Sequence, residues 1–141
     1  MENHRTTPSY SEAFQTFLSH TNEKQVLLEA LSLKLQTLGI KSLLDIGAGN
    51  GDLSIPLAKN VGRYLAVEQK TDFVKCLEDA GLEVISSSFP CEIQEEFDAV
   101  LLSHSLPPHK EGRASWETYI ASAWSQVKDG GHLLIVTFDD T

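Results

Sequence analysis

The chain alternates short, wholly apolar runs with longer stretches whose apolar residues recur at helical spacing, the pattern of a parallel sheet covered by helices. Ser9 and Glu12 stand at capping-box spacing ahead of Phe14, Phe17 and Leu18, which predicts an opening helix. Ser19-His20-Thr21-Asn22 interrupts it. Asn22 caps a second helix, and Val26, Leu27, Ala30, Leu31 and Leu38 carry that helix to Gly39. Residues 42–46 (SLLDI) form a first strand that runs straight into GAGNG. A helix from about Leu53 to Lys59 accommodates Pro56 in its first turn. RYLAVE (63–68) is a second strand, TDFVKCLEDAG a helix closed by Gly81, LEVISSSF (82–89) a third strand and FDAVLLSH (97–104) a fourth. Between Arg113 and Lys128, Trp116, Ile120, Ala123, Trp124 and Val127 mark one helical face, after which Asp129-Gly130-Gly131 turns the chain into HLLIVTF, a fifth strand. Right-handed crossovers then give an open, doubly wound α/β sheet.

A chain of 141 residues is of single-domain size. Its 41% hydrophobic and 22% charged residues are those of a soluble, folded protein. Acidic residues outnumber basic ones by 20 to 11, and the net charge of −9 gives no general attraction to nucleic acid or to an anionic membrane. No apolar run approaches the ~20 residues of a membrane-spanning helix, and MENHRTTPSY lacks the apolar core of a secretory signal. Cys76 and Cys91 make no disulfide framework, so a cytoplasmic protein with reduced thiols is expected.

The candidate chemistry begins at LLDIGAGNGD (43–52). A strand that enters Gly47, Gly49 and Gly51 makes a tight turn, and its backbone amides together with the following helix suit the carboxylate or phosphate of a nucleotide-like ligand. Glu68 ends the second strand, where a carboxylate can accept both hydroxyls of a ribose. The dinucleotide fingerprint G-x-G-x-x-G is not met: Asp52 stands where its third glycine belongs, and Gly51 comes one residue early.

DIGAGNG followed by Glu68 instead resembles motif I and the acidic loop of the class I S-adenosylmethionine-dependent methyltransferases. The resemblance extends from about Leu43 to Phe138 and includes FDAVLLSH and the DGGHLLIV turn and strand. It implies a Rossmann-like, mostly parallel sheet, with residues 40–141 binding S-adenosylmethionine and residues 1–39 forming an N-terminal helical lid. It further implies that the amino-acid end of the cofactor lies over Gly47, Ala48, Gly49 and Gly51, that Glu68 holds the ribose and Gln69 lies against the adenine, with Asp45 also among the cofactor-binding residues. Ser88 and Phe89 replace the aspartate that usually contacts the adenine amine, and Ser103 and His104 stand where the methyl group meets the acceptor.

YSEAFQTFLSHTNEKQ (10–25) is similar to the start of the histamine N-methyltransferase family. That similarity implies that Tyr10, Phe14, Glu23 and His104 contact a small acceptor, an amine among the candidates. Motif I departs from that family, and histidine replaces its glutamine at His104, so the acceptor can differ. His104 is also the candidate proton acceptor. His104 and His109 in SHSLPPHK lack a third ligand at suitable spacing, and no metal is expected. Two alternatives stand beside the methyltransferase: a non-catalytic or fragmentary cofactor-binding module, and an NAD-dependent oxidoreductase. The sequence stops soon after HLLIVTF, so the fifth strand is expected to be an open edge. Such an edge suits a homodimer or the rest of a longer protein, with cofactor binding retained and turnover weak.

Overall fold

The structure is a computed structural model that describes residues 13–18, 23–103 and 113–138, with side chains described over 25–103 and 117–136. In chain order the elements are β1 (Ala13–Leu18), α1 (Glu23–Leu38), β2 (Ser42–Ile46), α2 (Ser54–Ala58), β3 (Arg63–Glu68), α3 (Thr71–Asp79), β4 (Val84–Ser86), β5 (Phe97–Ser103), α4 (Arg113–Trp124) and β6 (Val127–Phe138). The six strands make one sheet in the order β1-β6-β5-β2-β3-β4, and every neighbouring pair is parallel.

Interior parallel strands are covered on both faces, which explains why β2 is buried at every position. Alternation along the strands sorts the core into two layers. Leu43, Ala66, Leu101 and Leu134 point to one face and pack with Leu27, Leu31 and Leu35 of α1, Leu57 of α2 and Leu77 of α3. Leu44, Val67, Val100 and Ile135 point to the other face and pack with Ala123 and Trp124 of α4. The doubly wound sheet expected from the alternation of strands and helices is therefore the fold.

Two polar ties hold the strands that carry the cleft. At the N-terminal edge of the sheet, the Asp98 carboxylate accepts the N–H groups of Lys41 (2.8 Å) and Ser42 (3.1 Å), while its own N–H donates to Ser42 Oγ at 2.8 Å. Burial opposes ionisation of Asp98. The two backbone donors and Lys128 outweigh it and hold the carboxyl below the usual range. Arg63, at the start of β3, clasps Glu95 through two hydrogen bonds of 2.9 and 2.8 Å and donates to Glu83 at 2.7 Å. That fork ties the residue that precedes β4 to the end of the segment that leads into β5.

The structure corrects three expectations. Residues 13–18 are a strand, not a helix; Ser9 of the expected cap lies outside the described residues. Phe14, Phe17 and Leu18 do recur at helical spacing, but the backbone groups along β6 offer this segment a ladder, and edge pairing overrides the local pattern. As a result the side of β6 expected to be open is covered by β1, from Ala13 beside Leu133 to Leu18 beside Phe138, so the premise for pairing two copies there is removed. Gly130 and Gly131 are no turn before the last strand. They lie inside β6 as a bulge, because the register passes from Phe97 beside Val127 to Ala99 beside His132.

Gly131 sits where no side chain fits: a β-carbon there would lie 2.6 Å from the Asp98 carbonyl oxygen and 3.0 Å from that of Lys128. Gly131→Ala is expected to cost about 1–3 kcal/mol of stability, the usual toll of forced overpacking. Urea unfolding measures it, and an unchanged midpoint would mean that the bulge opens freely.

Candidate functional site

At the C-terminal edge of the sheet the chain leaves β2 through three glycines in left-handed conformation, Gly47 (φ 75°), Gly49 (φ 73°) and Gly51 (φ 96°). Gly47 N–H continues the sheet ladder to Val67 O at 2.8 Å, and Ile55 N–H returns to Gly51 O at 2.9 Å to start α2. The turn is closed by a side chain of the neighbouring strand. Glu68 Oε1 accepts the Gly49 N–H at 2.8 Å, and its Oε2 accepts the Lys70 N–H at 3.0 Å. Glu68 is buried and lies at the floor of a cleft of about 510 Å³.

The cleft brings together Asp45, Gly47, Ala48, Gly49, Glu68, Gln69, Ser88, Phe89 and Ser103 from the residues expected to hold a cofactor. Gly51 is the exception. It is buried beneath the turn, where a β-carbon would meet Ile55 Cδ1 at 2.7 Å, so it serves packing of the turn against α2 and α3. Of the expected acceptor contacts, Tyr10 and His104 lie outside the described residues. Phe14 lies in β1 and Glu23 at the first position of α1, with side chains outside the described ones.

The sequence reading missed several residues of this site. Lys70 and Phe73 line the cleft beyond β3, with Lys70 Nζ 5.3 Å from the centre of the Phe73 ring. Tyr119 of α4 reaches the opposite wall and meets Phe89 edge to face, ring centres 5.3 Å apart. Tyr119 adjoins Ile120 of the apolar face, and its hydroxylated ring was the available signal. Ser54 and Tyr64 were missed altogether. Both donate to the same oxygen of Asp45, Ser54 Oγ at 2.6 Å and Tyr64 Oη at 2.5 Å.

Asp45 is only 2% exposed. Burial pushes its carboxyl above the usual carboxylate range, the two hydroxyl donors draw it partly back, and the nearby charge of Glu68 pushes the same way as burial. Burial and the Asp45 charge together drive the Tyr64 phenol far up, so it stays a neutral donor.

Among the described residues lining the cleft, Lys70 is the one cation, against Asp45, Asp52 and Glu68. The amides of Gly47 and Gly49, expected to face an anionic ligand, are engaged within the protein by Val67 and Glu68. The turn therefore offers close approach rather than an anion nest. A hydroxylated and cationic ligand suits these walls; a pyrophosphate would meet buried carboxylates.

The methyltransferase small domain family matches residues 23–140. An S-adenosylmethionine-dependent methyltransferase from Clostridium acetobutylicum superposes with a TM-score of 0.70 at 14% identity, over 82% of this chain and 50% of that one. The sugar N-methyltransferase KedS8 from Streptoalloteichus gives 0.69 at 19%, over 82% and 49%. The N-methyltransferase NodS from Bradyrhizobium japonicum gives 0.67 at 16%, over 82% and 68%. The chain thus spans about half the length of the first two. No curated protein matches it. No described helix is long and apolar enough to cross a membrane.

The last two glycines of the turn separate backbone strain from packing. A β-carbon at Gly49 would meet nothing within 4 Å, whereas one at Gly51 would displace Ile55. Gly49→Ala is expected to cost about 1–2 kcal/mol for the left-handed backbone alone. Gly51→Ala costs more, measured as the difference between their urea midpoints; equal losses would show that Ile55 yields without penalty.

Proposed function

The chain belongs to the methyltransferase small domain family, and on that premise we propose that it binds S-adenosylmethionine over the glycine turn for methyl transfer to a small-molecule acceptor. The observation that carries the reading is Glu68. Each of its oxygens holds one backbone N–H of the site and keeps further lone-pair capacity, so the pair can take the two hydroxyls of a ribose without releasing the turn. Other features fit the same cofactor. Gly49 leaves open space where a side chain would stand, Phe73 and Phe89 offer rings to a base, and the carboxylates favour a ligand bearing ammonium and sulfonium charges.

When bound, S-adenosylmethionine supplies a methyl group activated by its sulfonium. This chain's residues then have three tasks. Asp45, Gly47, Ala48 and Gly49 orient the amino-acid end, Glu68 fixes the ribose, and Gln69, Ser88 and Phe89 contact the adenine. Ser103, at the end of β5, borders the reacting end. Displacement at a methyl group needs alignment and exclusion of water more than acid–base help.

An amine is the proposed acceptor, with Tyr10, Phe14, Glu23 and His104 around it and His104 taking the proton that the amine loses. Support comes from placement: β1 is parallel to the other strands, so it delivers the chain to the edge where the cleft opens, and Glu23 stands one helical turn before the cleft residue Leu27. Within residues 1–39, β1 belongs to the sheet and α1 packs on it, so the proposed cover over the acceptor end is confined to the surroundings of Glu23.

Calorimetry of this chain against S-adenosylmethionine and NAD tests the cofactor. Binding of the former and not the latter is expected, and Glu68→Ala should weaken it by about 1–3 kcal/mol, the range for hydrogen bonds to a charged group. Unchanged affinity in a folded Glu68→Ala variant would overturn the ribose assignment. Methylation of small amines, read by mass spectrometry, tests the acceptor separately.

A further inference from the structure

Beside the cleft, a buried phenol and a buried serine hydroxyl both end on a single carboxylate oxygen. Tyr64 lies on β3 and Ser54 at the first position of α2, and both donate to Asp45 Oδ2. Ser54 Oγ also lies 3.2 Å from the Ala48 carbonyl, which ties the same hydroxyl to the glycine turn. The other oxygen of Asp45, Oδ1, has no hydrogen bond among the described residues and keeps a solvent-accessible edge, and Asp45 lines the cleft.

We propose that Tyr64 is a positioning residue for the cofactor: with Ser54 it locks Asp45 by one oxygen and thereby turns the other toward the cleft to receive the cofactor's ammonium group. This rests on the S-adenosylmethionine reading above.

A buried carboxylate has two ways to lower its energy: it can take up a proton, or it can be held by donors and a cation. Tyr64 and Ser54 supply the donors without supplying charge, because a tyrosine this buried and this close to Asp45 does not ionise. When Asp45 is ionised, no counter-charge meets it among the described residues until a cation enters from the cleft. A lysine or arginine in place of Tyr64 would neutralise Asp45 from below and remove the attraction. The neighbours of Asp45 are consistent with that account. On β3 the titratable groups are Arg63, Tyr64 and Glu68, and Arg63 is taken up by Glu83 and Glu95; the paired residues Ala66 and Leu101 are apolar; α1, α2 and α3 bring Leu27, Leu31, Leu57 and Leu77 to this face, with Ser54. No cation reaches Asp45 from these elements, so its counter-charge is left to the ligand.

Tyr64→Phe tests the proposal because it keeps the ring in the core and removes only the donor. Calorimetry between pH 4 and 8 is expected to give a Kd for S-adenosylmethionine that is three- to tenfold weaker, and the acid limb of binding should move to higher pH. The sign follows from the hydrogen bond: without the phenol, Asp45 is less well held as a carboxylate, takes up its proton sooner as pH falls, and loses the ammonium sooner. Ser54→Ala should move the limb in the same direction. A role in packing alone would weaken binding equally at every pH or not at all. If wild-type protein binds and Tyr64→Phe leaves both Kd and the acid limb unchanged, the positioning role is overturned while the cofactor reading stands. Failure of wild-type protein to bind S-adenosylmethionine overturns both. Should Tyr64→Phe unfold, the Ser54→Ala titration decides by the same criterion.

Discussion

The hydrogen bond from Gly49 N–H to the Glu68 carboxylate joins the two halves of the site. A chain of left-handed glycines has little preference for any one shape, and the turn 47–51 would sample many without an external hold. Glu68 supplies that hold from the adjacent strand, and by taking the Lys70 N–H with its second oxygen it also sets the path of the chain into α3. The parallel register of β2 and β3, Ile46 beside Val67, is what brings the carboxylate level with the turn. A slip of that register would misplace the floor and the roof of the cleft together.

That coupling places charge where a folded protein ordinarily avoids it. Asp45 and Glu68 are both buried, on one face of the sheet, and the donors that meet them are backbone amides and neutral hydroxyls rather than cations. Hydrogen bonds make such carboxylates tolerable without neutralising them. The electrostatics of the cleft are thus set by omission as much as by placement. Arg63, which has a guanidinium of the kind that could neutralise them, is turned outward at the far end of β3 and is occupied by Glu83 and Glu95.

The parts of the molecule legible from sequence are those fixed by local pattern. The apolar runs gave β2, β3 and β5 nearly to the residue, and alternate glycines after a buried strand marked the cleft. What escaped depends on partners distant in the chain. AFQTFL carries helical spacing and becomes a strand because β6 lies beside it. Gly51 reads like Gly47 and Gly49, and only the positions of Ile55 and Leu77 reveal that it packs rather than lines the cleft. Tyr64 looks like any apolar strand residue until Asp45 is seen beneath it. Gly130 and Gly131 resemble a turn because a bulge uses the same residues for the same backbone freedom.

The placement of β1 has a kinetic side. It is the first of the described strands, and its ladder partner is the last of them, with Ala13 beside Leu133. Closing that contact means bringing together segments separated by nearly the whole chain, the slowest kind of encounter in folding. The β2–α2–β3 unit, by contrast, contains the glycine turn and Glu68 within a short stretch and needs no such closure. During synthesis the cleft floor can therefore assemble while β6 is still in the ribosome, and β1 must wait for β6 to emerge before it meets its ladder partner.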